Sequence, residues 1–131
     1  MSEAAIFALY AGLNALLLLA LSYNVGSRRG KQNQLQPGDT GDATLVRAIR
    51  AHANFAEHAP LVLLVLLGLV LLEAPVWSLH ALGGGFTAGR VLQAFGMMRD
   101  KHPNAVRFTG NLLTGLALLI GGVGAIVLAL E

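Results

Sequence analysis

RAIRAHANFAEHAPLVLLVLLGLVLL, from Arg47 to Leu72, carries two arginines, two histidines, an asparagine and a glutamate straight into a purely apolar run. Ionisable groups at hydrocarbon depth cost about 2.5 to 3.5 kcal/mol each even on lenient insertion scales. They persist where they face a bundle interior, pair with one another or meet a polar ligand. The apolar half therefore reads as a membrane-crossing helix, and the polar half as the place to look for chemistry. Pro60 lies between them, where its missing N–H and its ring predict a kink near Ala56.

The rest of the chain has the same character. Its 131 residues are 55% hydrophobic and only 12% charged, with a mean hydropathy of +0.64, too apolar for a soluble domain of this size. Four apolar stretches, 4–25, 46–72, 76–98 and 105–130, each approach or exceed the roughly 20 residues a helix needs to cross about 30 Å of hydrocarbon. The expected fold is an all-α integral membrane protein, a four-transmembrane-helix bundle forming one domain over residues 1–131. The first stretch has no Lys or Arg before its apolar core and no small-residue cleavage pattern after it, so it is expected to be a retained helix. No internal repeat is visible.

Charge placement sets the expected orientation. Arg28, Arg29 and Lys31 follow the first stretch and Arg99 and Lys101 follow the third, whereas the opposite end carries Glu3, Glu73 and Glu131. The positive-inside rule puts both basic loops, including the long polar loop 26–44, in the cytoplasm and both termini across the membrane. A net charge of +2, distributed in this way, argues against a nucleic-acid partner. With no cysteine, disulfides, thiolate metal sites and a protein thiol nucleophile are excluded, and any sulfur chemistry must come from a bound thiol.

Helical periodicity gathers the polar residues. At about 100° per residue, Arg47, Arg50, Asn54 and Glu57 fall within about 80° on the second helix. Arg90, Gln93 and Met97 share a face of the third helix, and Arg107, Asn111 and Thr114 one of the fourth. Arginine forks bind carboxylates in bidentate fashion, Asn can bond a peptide amide, and Glu57 can accept from an ammonium or pair with Arg50 or Arg90. Four arginines against one acid favour an anionic ligand or lipid head groups. His52 and His58 do not join Glu57 on one face, so no metal site is expected. Asp42 is the expected N-cap of the second helix, Tyr10 and Asn14 form an expected interhelical hydrogen-bond pair, and Gly85 and Gly89 a GxxxG contact.

These segments resemble the MAPEG family, the membrane-associated proteins of eicosanoid and glutathione metabolism, in its small bacterial branch. RAIRAHANFAEHAP resembles the family's second-helix signature, YAGLNALLLLALSYNV its first helix, GRVLQAFGMM its third and RFTGNLLTG its fourth. The resemblance implies a homotrimer in the bacterial inner membrane, with glutathione as co-substrate held between subunits near the cytoplasmic face and a lipophilic substrate entering from the bilayer. By position it assigns glutathione binding to Arg50, Asn54 and Glu57, with Arg90 and Gln93 from the third helix, and thiolate stabilisation to Arg107. The implied function is a glutathione-dependent transferase or peroxidase. The chain also departs from the family pattern at Ala53, at Gln93 to Phe95 and at Asn111. Those departures support the alternative, a non-catalytic lipid-binding protein or accessory subunit of a larger membrane complex.

Overall fold

The computed structural model describes residues 1–31, 41–99 and 104–131, and it places four helices in chain order: α1 (Glu3–Lys31), α2 (Ala43–Leu71), α3 (Val76–Met97) and α4 (Ala105–Leu130). Among the described residues there is no strand. Three of the helices, α1, α2 and α4, are long and apolar enough to cross a membrane. Falling outside that group, α3 carries Ser78, His80, Thr87, Arg90 and Gln93 along with five glycines. Arg90 and Gln93 are buried because α3 packs against all three other helices, and α2 does the same, whereas α1 and α4 do not touch.

Helix ends follow local chemistry. The Asp42 side chain accepts from the Leu45 N–H at 2.8 Å, which is the expected cap, and starts α2 three residues before the span predicted to open at Val46. At the other end of α2, Glu73 takes a left-handed conformation with φ 54. There the Ala74 N–H donates to Leu69 O at 2.9 Å and the Glu73 N–H to Val70 O at 3.2 Å. This is a Schellman stop that more often uses glycine, and Pro75 follows it. α1 continues beyond Val25 through Lys31, so Arg28, Arg29 and Lys31, assigned above to the loop, form its last turn. Cations there complement the negative end of the helix dipole. α2 runs unbroken through Pro60.

α1 buries only Ile6, Asn14 and Leu21. Polar contacts tie it to α3: Asn14 Nδ2 donates to Thr87 Oγ1 at 2.8 Å and Tyr10 Oη lies 2.9 Å from His80 Nδ1. Each member of the expected Tyr10–Asn14 pair thus bonds across to α3, and Asn14 Nδ2 also donates to the Tyr10 carbonyl.

The α3–α4 seam is a backbone contact. α4 buries Gly110, Thr114, Ala117 and Gly121, a stripe of small residues, and a Cβ added at Gly110 would lie 2.6 Å from Gly89 O. A Cβ at Gly96 would lie 2.5 Å from Arg107 N. The expected pairing of Gly85 with Gly89 holds only for Gly89, because a Cβ at Gly85 would meet nothing within 4 Å. Gly85 instead lines an apolar groove of about 450 Å³ between α3 and α4. The residue that shares the close face with Gly89 is Gly96, two helical turns further on.

Candidate functional site

At the end of the bundle where α2 starts and α3 finishes, a cavity of about 400 Å³ is lined by Val46, Arg47, Arg50, Ala53, Asn54, Glu57, Met97 and Arg107. That is within the range of small-molecule sites, about 300 to 1,000 Å³. The α2 residues reach it because the helix turns its apolar stripe, Leu45, Ala48, Ala51, Phe55, Ala59 and Val62, into the core. The arginine face is thereby rotated to one flank.

Arg107 is brought in by the α3–α4 connection. Asn104 caps α4 by accepting from the Arg107 N–H at 2.8 Å, and its Nδ2 donates to Gly96 O at 3.0 Å. One side chain therefore starts α4 and holds that start against the end of α3. Because Gly96 has no side chain, Arg107 sits directly over it, beside Met97.

Four of the six residues proposed from sequence, Arg50, Asn54, Glu57 and Arg107, come together on this cavity, and two do not. Arg90 is 1% exposed and Gln93 2%, so both lie behind the wall. Arg90 bridges three helices: its Nη1 donates to Asn54 Oδ1 on α2 at 2.7 Å and its Nη2 to Thr114 Oγ1 on α4. Thr114 in turn donates to Gly110 O at 2.9 Å, and the guanidinium lies 5.7 Å from the Phe86 ring centre. Gln93 directs its amide at Met97 Sδ and leaves its own Oε1 buried without a partner among the described residues. Of that polar face only Met97 reaches the cavity, because Gly110 of α4 packs closely on Gln93 and the Arg90 guanidinium is drawn in between Asn54 and Thr114. Asn111 is exposed and lies off the cavity, which also gains Arg47 and Ala53. Periodicity had already put Arg47 on the correct face, and Ala53, three residues after Arg50 and four before Glu57, falls at the edge of the same face.

Pairing of Glu57 with Arg50 or Arg90 is not found. Glu57 is exposed and makes no hydrogen bond or ion pair with another described residue. Replacement by Ala is therefore expected to change the stability of the subunit by no more than about 0.5 kcal/mol, the usual range for a surface substitution. Thermal unfolding of wild type and Glu57→Ala in detergent checks this. Ligand binding, in contrast, should weaken.

The electrostatics of the cavity are one-sided, with three guanidinium groups and one carboxylate on its wall. Guanidinium forks and an amide favour carboxylate or amide oxygens, and the carboxylate favours an ammonium. Among the described residues no three His, Asp or Glu side chains converge as metal ligands do.

Comparison with known proteins agrees with this architecture. The MAPEG family model matches residues 7–127. The inner membrane protein YecN of Escherichia coli K12 is 36% identical over 115 residues, which cover 86% of this chain and 84% of YecN. The Synechocystis protein sll1147 is 28% identical over 120 residues, covering 92% of this chain and 87% of that protein. Since the match runs from α1 to within a few residues of the end of α4, and the fold is a bundle of four helices suited to a membrane, this chain belongs to the MAPEG family of integral membrane proteins.

Proposed function

We propose that this protein binds glutathione as co-substrate and transfers it to, or uses it to reduce, a lipophilic compound dissolved in the bilayer. The observation that carries the reading is the convergence of Arg50, Asn54 and Glu57 from α2 with Arg107 from α4 on one cavity. Glutathione has two carboxylates, one ammonium and two peptide amides. The arginines match the carboxylates, Glu57 matches the ammonium, and Asn54 matches an amide. Arg107 is the cation best placed to favour thiolate over thiol, because it stands apart from the α2 row that would hold the tripeptide backbone. In the conjugation step the thiolate sulfur forms a bond to the electrophilic carbon as the leaving group departs, and the thiol proton has already passed to water. No side chain of the protein is modified.

The cavity opens on a flank where Arg50 and Glu57 are exposed. A neighbouring copy in a homotrimer would close it. Calorimetric titration of the detergent-purified protein with glutathione tests the first step, and saturable binding near one molecule per subunit is expected. Absence of binding removes this reading and leaves the non-catalytic lipid-binding or accessory role, which the departures from the family pattern at the exposed Phe95 and Asn111 favour.

The basic ends of α1 and α3 are proposed to face the cytoplasm, with both termini on the other side. A reporter active only in the cytoplasm, fused after Glu131, should stay dark, and a bright fusion would reverse the orientation.

A further inference from the structure

Arg90 was proposed from sequence to touch the ligand, yet it is sealed from the cavity and holds Asn54 Oδ1 at 2.7 Å. We infer that Arg90 is a positioning residue that sets the hydrogen-bonding polarity of the cavity through Asn54. A guanidinium has five N–H donors and no acceptor, so the atom of Asn54 that faces it must be the oxygen. The amide then has one orientation, with Nδ2 left for the cavity wall that Asn54 lines. Within the described chain that Nδ2 makes no hydrogen bond.

The surroundings hold this arrangement firmly. Arg90 Nη1 also lies 3.4 Å from the Asn54 carbonyl, to which His58 Nδ1 is bonded at 2.7 Å, while Nη2 is anchored on Thr114. The guanidinium is thus fixed from α2 and α4 together, and a flip of the Asn54 amide would set N–H against N–H. The consequence is selectivity. Arg47, Arg50, Asn54 and Arg107 all present donors, and Glu57 is the one acidic side chain on the wall. The class of ligand that fits has its acceptors, carboxylates and a carbonyl, spread along the α2 and α4 walls and a single cationic group near Glu57. This inference rests on the proposed reading for the identity of the ligand, though not for the orientation of the amide.

The test observes the Asn54 side-chain amide by NMR in ¹⁵N-asparagine-labelled protein in detergent, with its signal identified by its loss in Asn54→Ala. Sulfate and glutathione serve as separate probes. In wild type either anion should shift the Asn54 N–H signals, and in Arg90→Met the response should fall by at least half because the amide is no longer held. Thr114→Val, which removes the other anchor, should leave the response in place. If Arg90→Met does not fold, Arg90→Gln decides, since its amide offers both a donor and an acceptor and no longer dictates which end of the Asn54 amide faces it, so the response should fall by at least half there too. Asn54→Asp keeps an acceptor for Arg90 and loses the donor, so it should remain as stable as wild type while glutathione binds at least about tenfold more weakly, because one hydrogen bond to a peptide carbonyl is lost and a carboxylate now faces an anionic ligand. A shift with sulfate and none with glutathione would remove the functional reading and keep this one. An Asn54 signal indifferent to both anions in wild type, or equally responsive with and without Arg90, overturns it.

Discussion

Gly110→Ala is expected to destabilise the protein by about 3 kcal/mol or more, at the upper end of overpacking costs. The new Cβ would stand 2.6 Å from Gly89 O and 2.7 Å from Gln93 Cα, and neither atom belongs to a side chain that can rotate away. α3 and α4 would have to separate, and with them the Thr114 anchor of Arg90. Gly115→Ala, on the same helix with nothing within 4 Å of its added Cβ, is the control and should be neutral. Thermal unfolding of both variants in one detergent makes the comparison, and equal midpoints would show that the α3–α4 seam is looser than described.

The largest functional effect is expected from Arg107→Leu. Its side chain is exposed on the cavity and makes no hydrogen bond within the described chain, so the loss should leave the fold intact. If Arg107 stabilises the thiolate, conjugation should fall by about 10² to 10³, the range seen when a single electrostatic stabiliser is removed from an active site. Much of the glutathione affinity should survive, because the interaction counts mainly for the thiolate and the transition state. The thiolate absorbance of bound glutathione near neutral pH, compared between wild type and variant, reports this directly. Wild-type protein that binds glutathione without any thiolate signal would end the catalytic assignment of Arg107.

Much of the fold was legible because hydrophobic runs and helix signals are local. Four apolar stretches, the Asp42 cap and the start of α4 after Asn104 depend only on neighbouring residues. The α2 face of the cavity was legible for the same reason, since one helical period fixes which residues share a side. What could not be read was the rotation of α3. Arg90, Gln93 and Met97 share a face, yet which of them meets the cavity depends on how closely α4 approaches. That approach is set by Gly89, which its GxxxG spacing had marked, and by Gly96 on α3 and Gly110 on α4, which look in sequence like any other glycines. Which of its two possible roles Glu57 takes, a ligand contact or an ion pair, was hidden by the same ambiguity, because a face turned to a flank has the same periodicity as one turned to a partner helix.

α1 and α4, which do not touch, also imply an order of construction. A chain made from its N-terminus delivers α1, α2 and α3 first, and these three already pack pairwise without the last helix. Asn54 can therefore accept the Arg90 guanidinium as soon as α3 enters the bundle, so that the buried cation of α3 is never left to hydrocarbon alone. Thr114 and Arg107 arrive together with α4. The cavity is the last part of the subunit to be completed, and a nascent chain arrested before α4 would hold its buried charge safely without yet having a site.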